Sequence, residues 1–556
     1  MYPTSLAIGT GASLGILAHI LIFRNGEWDL YSIKILQGLL IVFGLLALSF
    51  KRLGATEAGS PYSFLESVIA SMYMVSFLVS GTFCSISFYR ISFFHRLYKF
   101  PGPFMARVSN LYLTKRSVAS FQLYREIQDL HRRYGDIVRV GKWQRPSALS
   151  ILDAKVFHAI HSNNSPCSKG PWYNIEQPAI SLHMSRDKND HSRRRRAWDR
   201  AFSSKALRDY EPRVVKYTSQ LLDRLDQSQG IPSDIAKSFK FYSFDTMGDL
   251  AFGQSFNMLT DGVKHPFMAL VESHMAMAGT FSQLIWMFPL FRAMPFLGRA
   301  DAVFQKWLET QVRHQEQNKP DLPNIFSWLL EDYKSQLYPK EQDWLNLQAD
   351  MQLIAVAGSD TTSVTLTCLF FLLATNKDAC IRLQKEIDKL FSSSSEPNHS
   401  SFSKLTYLQA CIDETLRLFP PVPSGLQRMI PAEGLRVSDI FIPGDTVVTV
   451  PSYTLHRDER YFTAPDNFVP ERWTTKPDMV RDGSVFAPFS VGRYACVGKQ
   501  LGLMEVGYAT CMILHRFDIC LSGEEATSKS AFLKGLRDHF TLDAPQLNVV
   551  LTTRKH

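Results

Sequence analysis

Near the C-terminal end, one cysteine sits between glycines and opens a helical pattern. The stretch is Phe489-Ser490-Val491-Gly492-Arg493-Tyr494-Ala495-Cys496-Val497-Gly498, followed by Leu501, Met504, Glu505 and Tyr508 at helical spacing. A lone cysteine is ordinarily a small buried hydrophobe, and that reading serves for the other seven. At Cys496 the glycines permit close backbone approach, and N–H groups aimed at sulfur would stabilise a thiolate at a helix N-terminus. Such a thiolate is a metal ligand or a nucleophile. No cysteine or histidine lies nearby at zinc spacing. Haem iron needs only one protein thiolate.

Three other groupings carry chemistry. Ala357-Gly358-Ser359-Asp360-Thr361-Thr362 interrupts an otherwise apolar helix over 348–375. Mid-helix glycine is entropically poor and hydroxyls compete for backbone carbonyls, so the spacing predicts a locally opened helix. Close helix packing through small residues also accounts for the patch; the acid beside the hydroxyl pair points to proton delivery. Glu414 and Arg417 share a helix face at i,i+3, which as a surface pair would contribute only about 0.2–0.5 kcal/mol. Downstream, Pro470-Glu471-Arg472-Trp473 offers a second arginine. Arg193–Arg196, four arginines in a row after His191 and Ser192, would ordinarily be a solvated charge cluster.

Taken together these motifs resemble the cytochrome P450 family over most of residues 95–520. Phe489, Gly492, Cys496 and Gly498 match the family's Phe-x-x-Gly-x-Arg-x-Cys-x-Gly in register, with Tyr494 in the arginine's place and Arg493 one residue early. The resemblance implies a mainly α fold with small β-sheets, haem b with Cys496 as axial iron ligand, and electrons from NADPH through a reductase. It implies Thr361 at the oxygen site, Asp360 feeding a proton relay, and Gly358 leaving space for oxygen. Glu414, Arg417 and Arg472 resemble the family's structural Glu-Arg-Arg triad. Arg195 matches the arginine of the family's C helix, with His191 where tryptophan is usual; both are implied propionate contacts, and Arg428 and His456 are weaker candidates. Either Arg493 reaches round to a propionate or Tyr494 donates a neutral bond. The other arginines of the run face solvent or an acidic electron donor.

The elements that must position these residues follow from the rest of the chain. Of 556 residues, 45% are hydrophobic and 20% charged, which excludes a disordered tail protein, a collagen or a small disulfide scaffold. Eight cysteines without a CxxC pair suit a reducing compartment. The net charge is +9, and residues 90–116 hold Arg90, Arg96, Lys99, Arg107, Lys115 and Arg116 with no acid. Ahead of them lie apolar runs at 5–23, 35–50 and 67–89, read as membrane spans of a 1–92 anchor. A cleaved signal peptide competes for the first run, but a basic n-region is missing. The basic segment sets the body on the cytosolic side of the endoplasmic reticulum, and three crossings put the N-terminus in the lumen. Residues 93–116, with Pro101-Gly102-Pro103, form a stiff hinge, and 117–556 form the catalytic domain. Residues 435–450 predict a β-hairpin around Pro443-Gly444, and the serine-rich run 392–395 a solvated loop. Asn163 and Asn398 are glycosylation sequons that a cytosolic domain leaves unmodified.

The expected activity is insertion of one oxygen atom of O2 into a lipophilic small molecule, as hydroxylation, epoxidation or successive oxidation, in the manner of fungal specialised metabolism. Expected partners are NADPH-cytochrome P450 reductase, cytochrome b5 and the membrane; no nucleic acid is expected. Two rivals remain. One is a family isomerase or dehydratase that needs no NADPH, although such relatives typically lack the acid–threonine pair. The other is a non-catalytic membrane haem-binding protein. Substrate-facing loops near 163–185 and 270–295 carry no readable code.

Overall fold

The structure is a computed structural model that describes residues 2–53, 59–141, 148–318, 320, 322–393 and 398–555. Of the serine-rich loop expected at 392–395, Ser392 and Ser393 instead end the helix Lys377–Ser393, and the other two residues lie outside the described ones. Three apolar helices lead the chain: α1, Tyr2–Ala18, prolonged by a wider turn over His19–Phe23; α2, Ser32–Leu53; and α3, Phe64–Ile91. The helix α2, with Asp29–Tyr31 before it, and α3 are long and apolar enough to cross a membrane. At 1.5 Å per residue the 22 residues of α2 reach about 33 Å, beyond the 16-residue run expected, because the helix continues through Lys34 at one end and Lys51 and Arg52 at the other. Ser63 starts α3 with a capping box, accepting from Glu66 N–H while the Glu66 carboxylate accepts from Ser63 N–H.

Helices α1 and α3 run parallel. Gly11 faces Met74 and Leu78, Gly15 faces Leu78 and Thr82, and His19 Nδ1 lies 2.8 Å from Ser85 Oγ. A Cβ at Gly15 would overlap the Leu78 carbonyl and one at Gly81 the Ala12 carbonyl, so small residues let these backbones meet. The first and third helices therefore both run toward the body and α2 runs away from it.

The chain leaves α3 through a pinned elbow rather than a free hinge. Arg139 N–H donates to Pro101 O at 2.7 Å, and a Cβ on Gly102 would overlap the Arg139 carbonyl. Of the basic segment, Arg90 is buried and donates to Val108 O at 2.7 Å, and Arg96 binds Gly444 O. Phe93, Phe94, Tyr98, Phe104 and Met105 stand exposed around the elbow, an aromatic collar of the kind found at membrane interfaces.

The body is mainly helical. Its central helix α6, Glu341–Thr375, is as apolar as a membrane span yet 72% buried in protein, which marks it as core. It packs on α5, Ile235–Phe252, and its neighbours include α4, Lys188–Ala201, through shared polar contacts; α7, Thr406–Leu418; and α8, Lys499–Arg516. A small five-stranded sheet has the order Ile137–Arg139, Ala148–Ile151, Val447–Thr449, Arg428–Met429, Ser168–Lys169, with only the second and third parallel. The expected hairpin forms one step earlier. Leu435–Val437 pairs with Ile440–Ile442 across a turn where Ser438 takes φ 51°, while Val447–Thr449 joins the larger sheet. Val447 and Val448 are fully buried there, so burial decides the pairing of that β-branched run.

Candidate active site

Cys496 ends a loop that closes on itself, its N–H donating to Phe489 O at 2.8 Å. Two backbone positions in this loop are left-handed, Ser490 at φ 56° and Gly492 at φ 72°. Gly492 is required twice over, since a Cβ there would also overlap the His161 carbonyl. It shapes the loop and does not line the cavity described next. The thiol precedes α8, whose first N–H groups, those of Gly498 and Lys499, hydrogen-bond the sulfur. Burial pushes this thiol up; those N–H bonds and the Arg195 and Lys499 charges pull the other way.

The sulfur is deep in the protein yet its residue is exposed, because it faces an internal void. That void has two lobes, of about 370 and 210 Å³, both walled by Cys496, Phe489, Tyr494, Ala357, Thr361 and Thr362. The same void explains why Ala357 is exposed in the middle of a core helix. The larger lobe is apolar, with Ile175, Met184, Val271, Met275 and Val356 in its wall, and it draws on both expected substrate-facing loops. Phe540 and Thr541, from the C-terminal hairpin Arg537–His539/Thr541–Asp543, also line it and were not expected.

Helix α6 is unbroken, contrary to the opening expected from its small and polar residues. Its hydroxyls bond back to the preceding turn: Ser359 to Ala355 O at 2.6 Å, Thr361 to Ala357 O at 2.7 Å and Thr365 to Thr361 O at 2.7 Å. Gly358 lines the smaller lobe, but a Cβ on it would lie 2.6 Å from Met247 Cε. Its smallness serves the α5–α6 contact as well as the space of the lobe. Asp360 does not line either lobe. It lies behind the wall in the field of Lys240, Asp543 and Glu272, and burial pushes its carboxyl up to about 7.

Around the smaller lobe stand cationic and polar donors that the protein does not satisfy. Arg428 Nε and Nη2, His191 Nδ1 and Tyr494 Oη are all buried and have no hydrogen-bond partner among the described residues, and His161 Nδ1, on the larger lobe, is likewise unpaired. So many buried unpaired donors are costly unless an acceptor belongs there. Two carboxylates, as on haem b, supply that acceptor, and a single thiolate supplies the iron ligand. A Cβ on Gly498, which lines this lobe, would meet nothing closer than Phe202 Cε1 at 3.6 Å, so the space beside it is open to a flat group. The residues present fit haem.

Arg195 lines the smaller lobe and is held there by Asp199 at 2.7 Å and Ala495 O at 2.7 Å. Arg493 turns away and donates to Ser192 Oγ at 2.9 Å, leaving Tyr494 to face the void. Arg194 is neither solvated nor free: it is buried against Asp350 at 2.7 Å, while Arg193 and Arg196 are exposed. His456 lines neither lobe; it is buried beside the triad, and its carbonyl accepts from Arg417 at 2.8 Å.

Glu414, Arg417 and Arg472 meet with side chains fully buried, correcting the surface-pair reading. Glu414 Oε1 accepts from Arg417 Nη2 at 2.8 Å, Arg472 Nε at 2.9 Å and Val469 N–H at 3.0 Å. Its Oε2 accepts from Arg417 Nε at 2.9 Å and Trp473 Nε1 at 3.0 Å.

Three residues escaped the sequence. Lys169 is buried, donates to Leu182 O at 3.1 Å and His183 O at 2.7 Å, and lies 4.6 Å from the Tyr494 ring centroid. His161 had no motif around it. Glu505 is buried at the smaller lobe, its carboxyl pushed well up by burial against a hydrogen bond with Thr362; as one position of a helical pattern it looked like packing. Among the described residues no cluster of three or more histidine, cysteine or acidic side chains could hold a metal ion.

Comparison with known proteins agrees with this geometry. The Cytochrome P450 family model matches residues 101–537. The chain is 52% identical over 541 residues to Cytochrome P450 monooxygenase FCK2 of Fusarium pseudograminearum (strain CS3096), covering 97% of this chain and 96% of that one. It is 35% identical to Tryprostatin B 6-hydroxylase of Aspergillus fumigatus, covering 100% and 98%. Among solved structures, the cytochrome P450DA heme domain aligns with a TM-score of 0.66 at 17% identity, over 79% of this chain and 95% of that chain, a likeness of fold.

Proposed function

The chain belongs to the cytochrome P450 family and is a monooxygenase, and on that premise we propose that it oxygenates a lipophilic specialised metabolite held in the larger lobe beside Cys496. The observation that carries the reading is the pairing of an apolar 370 Å³ chamber with a smaller lobe ringed by unpaired polar donors, those of Arg428 among them, the one thiol standing between them. Members of the family use haem-thiolate iron and electrons passed from NADPH by a redox partner.

Cys496 would ligate the haem iron, its thiolate stabilised by the Gly498 and Lys499 N–H groups. Arg195, Arg428, His191 and Lys169 with the Tyr494 hydroxyl would hold the two propionates. When bound, haem supplies the one-electron and O2 chemistry that no side chain can. The protein's part is to exclude water, orient the substrate and move protons. The apolar wall excludes water and favours a hydrophobic ligand. Thr361, whose own proton is given to Ala357 O, keeps its lone pairs toward the void and orders a donor there. Asp360, with a carboxyl value near neutrality, hands protons inward from the Lys240 side.

The anchor is 1–92, the elbow 93–116 and the catalytic domain 117–556. The three apolar helices cross the endoplasmic-reticulum membrane, the body faces the cytosol, and NADPH-cytochrome P450 reductase, assisted by cytochrome b5, delivers the electrons. The name of the Aspergillus fumigatus relative, a hydroxylase of tryprostatin B, supports a hydroxylation of a fungal alkaloid-like scaffold. The test has two steps. The reduced protein must show the long-wavelength Soret band of sulfur ligation on adding carbon monoxide. Microsomes holding the chain must then add an oxygen atom's mass to a terpenoid, polyketide or alkaloid scaffold only when NADPH is present. A short-wavelength band, or product formed without NADPH, overturns the reading.

A further inference from the structure

The loop joining α1 to α2 is more than a tether. Glu27 meets Arg186 of the body in a two-pronged pair, Nη1 to Oε2 at 2.6 Å and Nη2 to Oε1 at 2.8 Å. The remaining Arg186 nitrogen, Nε, donates to Lys169 O at 3.0 Å. Lys169 in turn holds the Leu182 and His183 carbonyls and lies over the Tyr494 ring. Three residues on, Leu30 packs into a cluster that joins Trp172, Tyr173, Ile175 and Met184 to Ile285 and Phe288. Trp172, Ile175 and Met184 are wall residues of the larger lobe. Residues 285–293 pack behind that wall and are tied to it as well, because Arg292 donates to the Ile175 and Gln177 carbonyls.

A tether needs only length and solubility. This loop instead presents a carboxylate in fork-to-fork geometry and an apolar anchor, each to a segment that closes the cavity. The parallel course of α1 and α3 requires the loop to lie on the body's side of the membrane, where Glu27 can reach Arg186. A bidentate arginine–carboxylate pair fixes orientation as well as distance. Side chains of both partners are only a quarter to a third exposed, which limits screening by salt.

We propose that Glu27 and Leu30 are positioning residues of the substrate pocket: the anchor loop braces residues 169–186 and 285–293, so the membrane segment sets the shape of the larger lobe. Removing the brace loosens the wall and weakens ligand binding without touching Cys496 or Thr361. The link to substrate rests on the proposed reading of the cavity; the brace itself does not.

The test uses the full-length haem protein in lipid nanodiscs, with Glu27→Gln, Arg186→Gln and the double variant. Hydrogen–deuterium exchange over 169–186 should quicken about tenfold in Glu27→Gln, the response to about 1.4 kcal/mol of lost protection. Arg186→Gln should be at least as fast, and the double variant no faster than Arg186→Gln alone, because one broken pair cannot be broken twice. The Kd of phenylimidazole, read from its Soret shift, should rise by a similar factor, while exchange in α7 stays unchanged. Unchanged exchange in Glu27→Gln, or effects that multiply in the double variant, would overturn the brace. Faster exchange with an unaltered phenylimidazole Kd would overturn its link to the pocket. A parent protein that gives no Soret response at all would count against the haem reading instead, and exchange would still decide the brace.

Discussion

The guanidinium carbon of Arg428 lies 4.9 Å from the centroid of the Tyr494 ring. Lys169 approaches the same ring at 4.6 Å, so a neutral aromatic residue sits among cations where the family carries another arginine. A third positive charge beside these two would add repulsion within a buried site. The ring accepts both cations through its π face and still offers a hydroxyl to an anion.

The first prediction compares these partners. Charged donors contribute about 1.5–3 kcal/mol and neutral ones about 0.5–1.5 kcal/mol. Arg428→Ala should therefore weaken haem retention by about 10- to 100-fold, measured by transfer to apomyoglobin, and Tyr494→Phe by no more than about tenfold. Equal losses would remove the case for Arg428 as the main propionate partner.

Glu414 is the hub of five hydrogen bonds in a site with no solvent access. Glu414→Gln leaves two guanidinium groups, those of Arg417 and Arg472, without their counter-charge, a change that costs about 3–5 kcal/mol when a buried pair is broken. The protein should lose its cooperative thermal transition or shift it sharply downward, and its reduced carbon-monoxide band should move to the short-wavelength form. A transition within a few degrees of the parent would contradict a structural triad.

Thr361→Val keeps the shape of the α6 wall and removes the hydroxyl. Product per NADPH should fall about 100-fold, the lower end for a positioned group in a proton path, with hydrogen peroxide accounting for the electrons lost. NADPH use itself should change little. Undiminished product yield would take Thr361 out of the proton path.

Asn398 caps a short helix, its Oδ1 accepting from Ser401 N–H at 3.1 Å, and Asn163 is exposed. Both should remain free of glycan in the parent chain under the proposed orientation, with the body facing the cytosol. A sequon added ahead of α1 should be glycosylated, because the proposed three crossings put that end in the lumen. A mobility shift that appears at Asn163 or Asn398 would reverse the orientation.

Local spacing made Cys496, the triad pair and the α6 hydroxyls legible, because each motif is confined to one turn or one helix face. Tyr494 against Arg493 was not, since their directions depend on the tight turn at Gly492–Tyr494 and on left-handed Ser490. Lys169 and His161 join the site from segments more than 300 residues before Cys496, and single polar residues carry no periodicity. The hairpin at 435–442 was misplaced for the same reason: the partner of Val447–Thr449 is Ala148–Ile151, a choice made by burial far along the chain. Asp360 was read as feeding a proton relay to Thr361, and its place behind the wall was not legible because neighbours on a helix point about 100° apart.

That separation gives Asp360 a pH signature of its own. Its carboxyl is pushed up to about 7 by burial, a rise that Lys240 opposes and that Asp543 and Glu272 reinforce. Below that pH the group holds a proton it can pass inward, and above it the group is an anion waiting for one. Product per NADPH should therefore decline between about pH 6 and 8 with a midpoint near 7, and Asp360→Asn should give a low, flat profile. The same raised value has a stability consequence of fixed sign. The folded chain binds this proton more tightly than the unfolded one, whose carboxyl titrates near 3.9, so the group's contribution to stability is lost as pH rises through about 7. Asp360→Asn, which cannot ionise, should be relatively more stable than the parent at pH 8 than at pH 6 in thermal melts. A difference of the opposite sign would show that Lys240 keeps Asp360 ionised and that its proton comes from elsewhere.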